Sequence, residues 1–120
     1  MDEETLQYHK DTGMFAVAYE PQAQGYFHKY LKNGFDSLPD VLKLCYPEEQ
    51  NKGRVQRLER LAKQEGLSVS NIVLGYLADW SFPSCAIIGC HSVEQVRDSM
   101  EAASCVLTDE QKKYLTEGTL

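Results

Sequence analysis

The sequence predicts an α/β fold, rich in helix and carrying two short strands of the parallel type. Two apolar runs, Met14–Tyr19 and Cys85–Ile88, show no alternation of apolar and polar residues. That is the pattern of strands covered on both faces, as inside a parallel sheet. Each run is followed by polar residues or glycine and then by a helical stretch, so the chain reads as two successive strand and helix units. The third observation is the stretch "SVSNIVLGYLADW", where Val69, Ile72, Val73, Tyr76, Leu77 and Trp80 recur at helical spacing. It predicts an amphipathic helix with a broad core face.

Taken in order, the first element is a short helix over Glu3–Asp11, with Asp2 as its cap and Gly13 as its stop. The first strand follows at Met14–Tyr19. Residues 25–51 read as an irregular stretch pinned by Tyr26, Phe27, Tyr30 and Phe35, with a turn at Asn33 and Gly34 and a brief helix near Leu38–Leu44. A helix over Arg54–Glu65 presents Val55, Leu58, Leu61 and Ala62 to the core and ends at Gly66. Arg54, Arg57 and Arg60 fall along its other side, beside a Glu59–Lys63 pair, and read as a solvated face.

Ser68 caps the amphipathic helix, and Pro83 prevents its continuation. Gly75 inside that helix costs about 1 kcal/mol relative to alanine, which predicts close packing against a neighbour. After the second strand and Gly89, Ser92 and Gln95 have the S-x-x-Q spacing of a capping box, and Thr108 and Gln111 repeat it before the last helix.

Composition narrows the class. A chain of 120 residues with 42% hydrophobic content has room for one domain with a real core. Eighteen acidic against twelve basic residues leave a net charge of -6, the wrong sign for a nucleic-acid partner. No apolar run is long enough to span a membrane, and the acidic start "MDEETLQ" is unlike a signal peptide, so a cytoplasmic location is expected. Cys45, Cys85, Cys90 and Cys105 form no CxxC pair and read as free thiols. Cys85 and Cys90 on a strand would point to opposite faces, so they and His91 are not expected to hold a metal.

Function is sought where the strands end, because loops at the carboxyl ends of parallel strands approach ligands while the sheet holds them. The first such loop is "VAYEPQAQG", Val17–Gly25. At the second, the unpaired amides of the turn after Ser92 face the space above Gly89 and Cys90, as an anion site would require. The same spacing is also met by a helix cap and nothing more.

The order of strand, "AYEPQAQG", long excursion, "GLSVSNIVLGYLADW", "PSCAIIGCHSVEQVRDSMEA" and "LTDEQKKYL" resembles the C-terminal third of an aldo-keto reductase, from about Leu6 to Leu115. The resemblance implies a C-terminal fragment of a (β/α)8 TIM barrel, comprising its last two strand and helix units as a single partial domain over residues 1–120. It implies a nicotinamide dinucleotide as cofactor, NADP or NAD. Tyr19 would stack on the nicotinamide, with Glu20, Gln22, Gln24 and Gly25 lining the pyrophosphate loop. Gly89, Cys90, His91 and Ser92 would surround the adenosine phosphates, and Gln95, Asp98 and Ser99 would lie near the 2'-phosphate and adenine.

Three positions depart from the family pattern. Glu20 replaces a common serine, Gln95 a frequent arginine and Ser99 an asparagine, which leaves the choice between NADP and NAD open. The catalytic Asp, Tyr, Lys and His of such enzymes come from earlier strands, and a whole barrel takes about 200 residues or more. No catalytic residue is therefore expected here, nor activity by the chain alone. Open sheet edges predict a homo-oligomer or a companion chain that covers them. The alternative is a noncatalytic self-assembling helical protein with a vestigial cofactor loop.

Overall fold

Helix α1 (Glu3–Thr12) begins where Asp2 accepts a hydrogen bond from the Thr5 amide at 2.8 Å and ends at Gly13, whose φ of 65° is left-handed. The computed structural model describes residues 1–78 and 81–118 of the chain. Strands β1 (Ala16–Ala18) and β2 (Ser84–Ala86) pair in parallel, with Val17 opposite Cys85. Trp80, expected to close the apolar pattern of the amphipathic helix, lies outside the described residues.

Both strands are shorter than the apolar runs that predict them, and they are not covered on both faces. Alternation places Phe15, Val17, Tyr19, Cys85 and Ile87 on one side of the ribbon, and all five are exposed. Helix α5 (Val69–Ala78) packs on the side that carries Ala16, Ala18, Ser84 and Ala86. An unbroken apolar run states what a strand is built to meet, whether or not the described residues provide it.

The largest correction falls on residues 25–51, which are mostly helical. Helix α2 (Tyr26–Asn33) is followed by a single 3-10 turn at Phe35–Ser37, by α3 (Asp40–Cys45), and by α4 (Glu48–Glu65). Tyr26 and Tyr30 are four apart on α2, with ring centroids 5.8 Å from each other, and Tyr26 also meets the rings of Phe27 and Tyr46. Tyr26, Phe27 and Tyr30 belong to one helix, met by Tyr46 at the end of α3 and by Phe35 from the 3-10 turn, so the cluster joins helices and does not pin an irregular loop. Helix α4 starts six residues earlier than Arg54, since Pro47 precedes it, Glu48 and Glu49 occupy its first turn, and Gly53 lies inside it.

Helix α4 joins two buried clusters. Val55 packs with Ala23, Tyr26, Leu38 and Leu42, while Leu58 and Leu61 pack with Ile72, Cys105 and Leu107. Gly75 has the close neighbour its position predicts, because a Cβ there would lie 2.6 Å from the Cys105 carbonyl oxygen. Helix α6 (Val93–Glu101) runs into a 3-10 turn at Ala102–Ser104, and α7 (Asp109–Glu117) closes the described chain behind a complete Thr108–Gln111 capping box.

The basic side of α4 is solvated only in part. Arg54 and Arg60 are exposed and Lys63 pairs with Glu59 at 2.7 Å. Arg57, however, donates from Nε and Nη2 to the Leu115 carbonyl at 3.1 and 2.9 Å, and from Nη2 to Thr116 at 3.2 Å. A cation at the carbonyl end of a helix satisfies acceptors the helix itself leaves open. No helix among the described residues is long and apolar enough to cross a membrane.

Candidate functional site

Because β1 and β2 are parallel neighbours, both strands release their following loops on the same side of the sheet. The Ile87 amide still donates to the Ala18 carbonyl at 3.0 Å, one step beyond the ladder. From there the chain diverges into the two segments that the sequence marks as site candidates.

The first loop is folded against its own preferences. Glu20, Ala23 and Gln24 all have positive φ, at 51°, 48° and 54°, and Gly25 follows at 77°. A non-glycine residue in that region costs on the order of 1 kcal/mol or more and persists only where its surroundings fix it. Three contacts do so. Ala23 is buried in the core, Gln24 Nε2 donates to both Glu20 carboxylate oxygens at 2.9 and 3.0 Å, and Lys29 Nζ donates to the Gln24 carbonyl at 2.9 Å. Tyr19, at the strand end, is 79% exposed.

The second segment is held by helix capping. Ser92 Oγ accepts from the Gln95 amide at 3.2 Å, while Gln95 Oε1 accepts from the His91 amide at 2.7 Å. The expected box is thus displaced by one residue, since the Gln95 side chain reaches past Ser92 to His91. The Val93 and Glu94 amides, also in the first turn of α6, have no partner among the described residues. One turn on, Ser68 Oγ donates to Asp98 Oδ1 at 2.9 Å and accepts from the Asn71 amide at 3.0 Å, which ties α6 to the start of α5. Ser99 is buried, with its hydroxyl 3.8 Å from Cys90 Sγ.

Between these segments opens a cleft of about 1190 Å³. Tyr19, Glu20, Gln22, Gln24 and Gly25 line one side of it, and Gly89, Cys90, His91, Gln95, Asp98 and Ser99 line the other. Of the site residues expected from sequence, Ser92 alone is absent from the lining, its hydroxyl being turned into the cap. Sequence reasoning missed Lys29, His28 and Ser68, which also line the cleft. Lys29 and His28 are illegible in a stretch whose composition reads as irregular, and Ser68 shows in the sequence only as a cap.

Two tyrosines of the aromatic cluster lie away from the cleft. Tyr26 is fully buried and Tyr30 donates to Glu48 Oε1 at 2.5 Å, and neither lines the cleft. Burial, with the Glu48 carboxylate adding to it, pushes the Tyr30 phenol up to about 12. No cluster of three or more His, Cys, Asp or Glu side chains among the described residues is arranged to hold a metal ion.

Comparison with known proteins gives this geometry a family. Versiconal hemiacetal acetate reductase of Aspergillus parasiticus is 24% identical over 123 residues, covering 97% of this chain and 35% of that protein. A thermostable aldo-keto reductase crystallised with the inhibitor epalrestat superposes with a TM-score of 0.64 at 22% identity, over 92% of this chain and 32% of that structure. The chain therefore spans about a third of the length of the relatives it matches, and its two strand and helix units have the fold of part of their barrel. The Aldo/keto reductase family model matches residues 1–118, and the chain belongs to that family.

Proposed function

We propose that this chain carries the dinucleotide-holding part of an NAD(P)(H)-dependent carbonyl or alcohol oxidoreductase and lacks the acid that completes the reaction. The observation that carries the reading is the convergence of both strand-end segments on one cleft. The residues present fit such a ligand. The cleft is as large as sites that take extended ligands, and it offers an aromatic face, one ammonium and a buried hydroxyl.

Each group has a task that its position supports. The exposed ring of Tyr19 offers a flat apolar surface to a planar heterocycle. Lys29 Nζ, which lines the cleft, supplies positive charge and donors for a pyrophosphate. Gln24 fixes the orientation of the Glu20 carboxylate by donating to both its oxygens. Asp98 and Ser99 offer acceptors and a hydroxyl to a nucleoside. The bound dinucleotide would carry hydride to or from a carbonyl carbon; the protein's part derived from these residues is to bind and orient it.

Tyr26 and Tyr30 are turned into the aromatic core, so turnover by this chain alone is not expected. The second reading, a noncatalytic assembly, is favoured by the exposed apolar side of the sheet at Phe15, Val17 and Ile87. A second copy or a companion chain would cover it. Titration with NADH and NADPH, followed by nicotinamide fluorescence and by thermal melting, tests the first reading. Saturable binding at micromolar concentration with a rise in Tm is expected, since a ligand present at about 100 times its Kd stabilises by about 2.7 kcal/mol. No binding of either nucleotide would leave the assembly reading.

A further inference from the structure

We propose that Tyr30 is a redox-active tyrosine, which gives an electron to a strong one-electron oxidant while Glu48 takes its proton, and that a hole on the tyrosine cluster comes to rest there. Neither residue enters the dinucleotide reading above. The helical excursion between the strands builds the site, with Tyr26 and Tyr30 on α2, Tyr46 at the end of α3 and Glu48 in the first turn of α4. Between centroids, the Tyr26 ring lies 5.8 Å from that of Tyr30 and 5.2 Å from that of Tyr46. Rings so placed are in contact, and an electron crosses such a contact readily. Phe27, whose ring is 5.3 Å from that of Tyr26, carries the cluster to the wall of the cleft.

The three tyrosines differ in where their protons can go. An oxidised phenol is a very strong acid, so its oxidation is fast where a base already holds the hydroxyl proton. Tyr30 donates to Glu48 Oε1 at 2.5 Å, a length typical of a hydroxyl bonded to a carboxylate. The Tyr26 hydroxyl is buried and has no partner among the described residues. Burial and nearby charge raise the Tyr46 phenol, with no hydrogen bond to a base among the causes. Of the three, Tyr30 alone couples loss of an electron to loss of a proton.

Burial first, and the bond to Glu48 second, push the Tyr30 phenol up to about 12, so at neutral pH the hydroxyl is intact until the electron leaves. The step balances. One electron passes to the oxidant, the O–H bond breaks, its proton makes Glu48 a carboxylic acid, and Tyr30 is left as a neutral phenoxyl radical. A one-electron reductant in solution reverses it, the phenoxyl oxygen recovering its electron from that reductant and its proton from Glu48. Glu48, Tyr26 and Asp36 are the titratable groups that face Tyr30, and Lys52 Nζ stands 4.0 Å from Glu48 Oε1. Tyr30 is half-buried, within reach of a small oxidant.

Flash oxidation of the full chain by a photogenerated ruthenium(III) polypyridyl complex tests the proposal. The variants are Tyr30→Phe, Glu48→Gln and, as an exposed control, Tyr8→Phe, with thermal melts to establish that each is folded. Phenoxyl absorption is expected to rise in a fast phase that persists in Tyr8→Phe and disappears in Tyr30→Phe. Glu48→Gln keeps an acceptor but removes the base, and should slow that phase by about tenfold or more. In the unaltered chain the fast rate should be flat across neutral pH, between the titrations of a carboxylate and a phenol, and lower in heavy water. A nitroso spin trap, mapped by peptide mass spectrometry, should mark Tyr30. A fast phase that survives in Tyr30→Phe, or adducts concentrated on the exposed Tyr8 and Tyr19, overturns the assignment to Tyr30. A fast phase untouched by Glu48→Gln overturns the role of Glu48 as the proton acceptor.

Discussion

Gly75 sits where α5 meets the Cys105 segment, and the clearance there leaves no room for a methyl group. Gly75→Ala removes a helix-weakening glycine, worth about 1 kcal/mol by propensity, but drives a Cβ against backbone. The clash is expected to win, with a net loss of about 1 to 3 kcal/mol in denaturant unfolding. Unchanged or raised stability would mean that the segment yields. Tyr30 gives a second prediction at this scale. Its phenol is raised from about 10 in an unfolded chain to about 12 in the fold, mainly by burial. The neutral form is the one the fold favours, so this contribution is complete below pH 10 and disappears as pH rises toward 12. Tyr30→Phe should flatten the fall of stability across that window; an unchanged slope would assign the fall to other groups. Gly75 was legible in the sequence because a glycine inside a strong helical pattern calls for a neighbour. Arg57 was not, since the spacing of α4 reveals which side it presents and nothing of the carbonyls that lie opposite.

Among the elements, those that announce their own ends were readable. Asp2, Gly13, Gly66, Ser68, Ser92 and Thr108 act within a few residues of themselves, and the structure places a cap or a left-handed stop at each. Helix α2 has no such side-chain cap, its glycine start looks like a loop, and its aromatics look like isolated anchors. The strands failed differently, because coverage of a face depends on what the rest of the fold brings to it. The convergence of the two site segments was nonetheless legible, following from parallel strands alone. The prediction that belongs here concerns α7, which is held to α4 through Arg57. Arg57→Ala removes donors to the Leu115 and Thr116 carbonyls and should cost about 1 to 3 kcal/mol. Hydrogen exchange would show it as an early loss of protection in α7, with α4 and α5 protected longer. Loss spread evenly over all three helices would mean that Arg57 does not act locally.

At the scale of the whole molecule, the exposed residues Phe15, Val17, Tyr19 and Ile87 make an apolar surface beside two strand edges that pair with nothing among the described residues. Surfaces of that kind associate. Sedimentation of the purified chain at tens of micromolar is expected to give a species larger than 13.6 kDa, and Val17→Lys should shift it toward the monomer. A monodisperse monomer for the unaltered chain would refute the expectation. The same ribbon also bears on the order in which the molecule forms. Its two strands are neighbours although α2, α3, α4 and α5 all lie between them in the chain. Such distant partners meet only after the intervening helices have drawn the loop closed. The floor of the cleft is therefore completed late in folding, and a ligand held there acts as a proofreader of the finished chain, retained only once every intervening element has found its place.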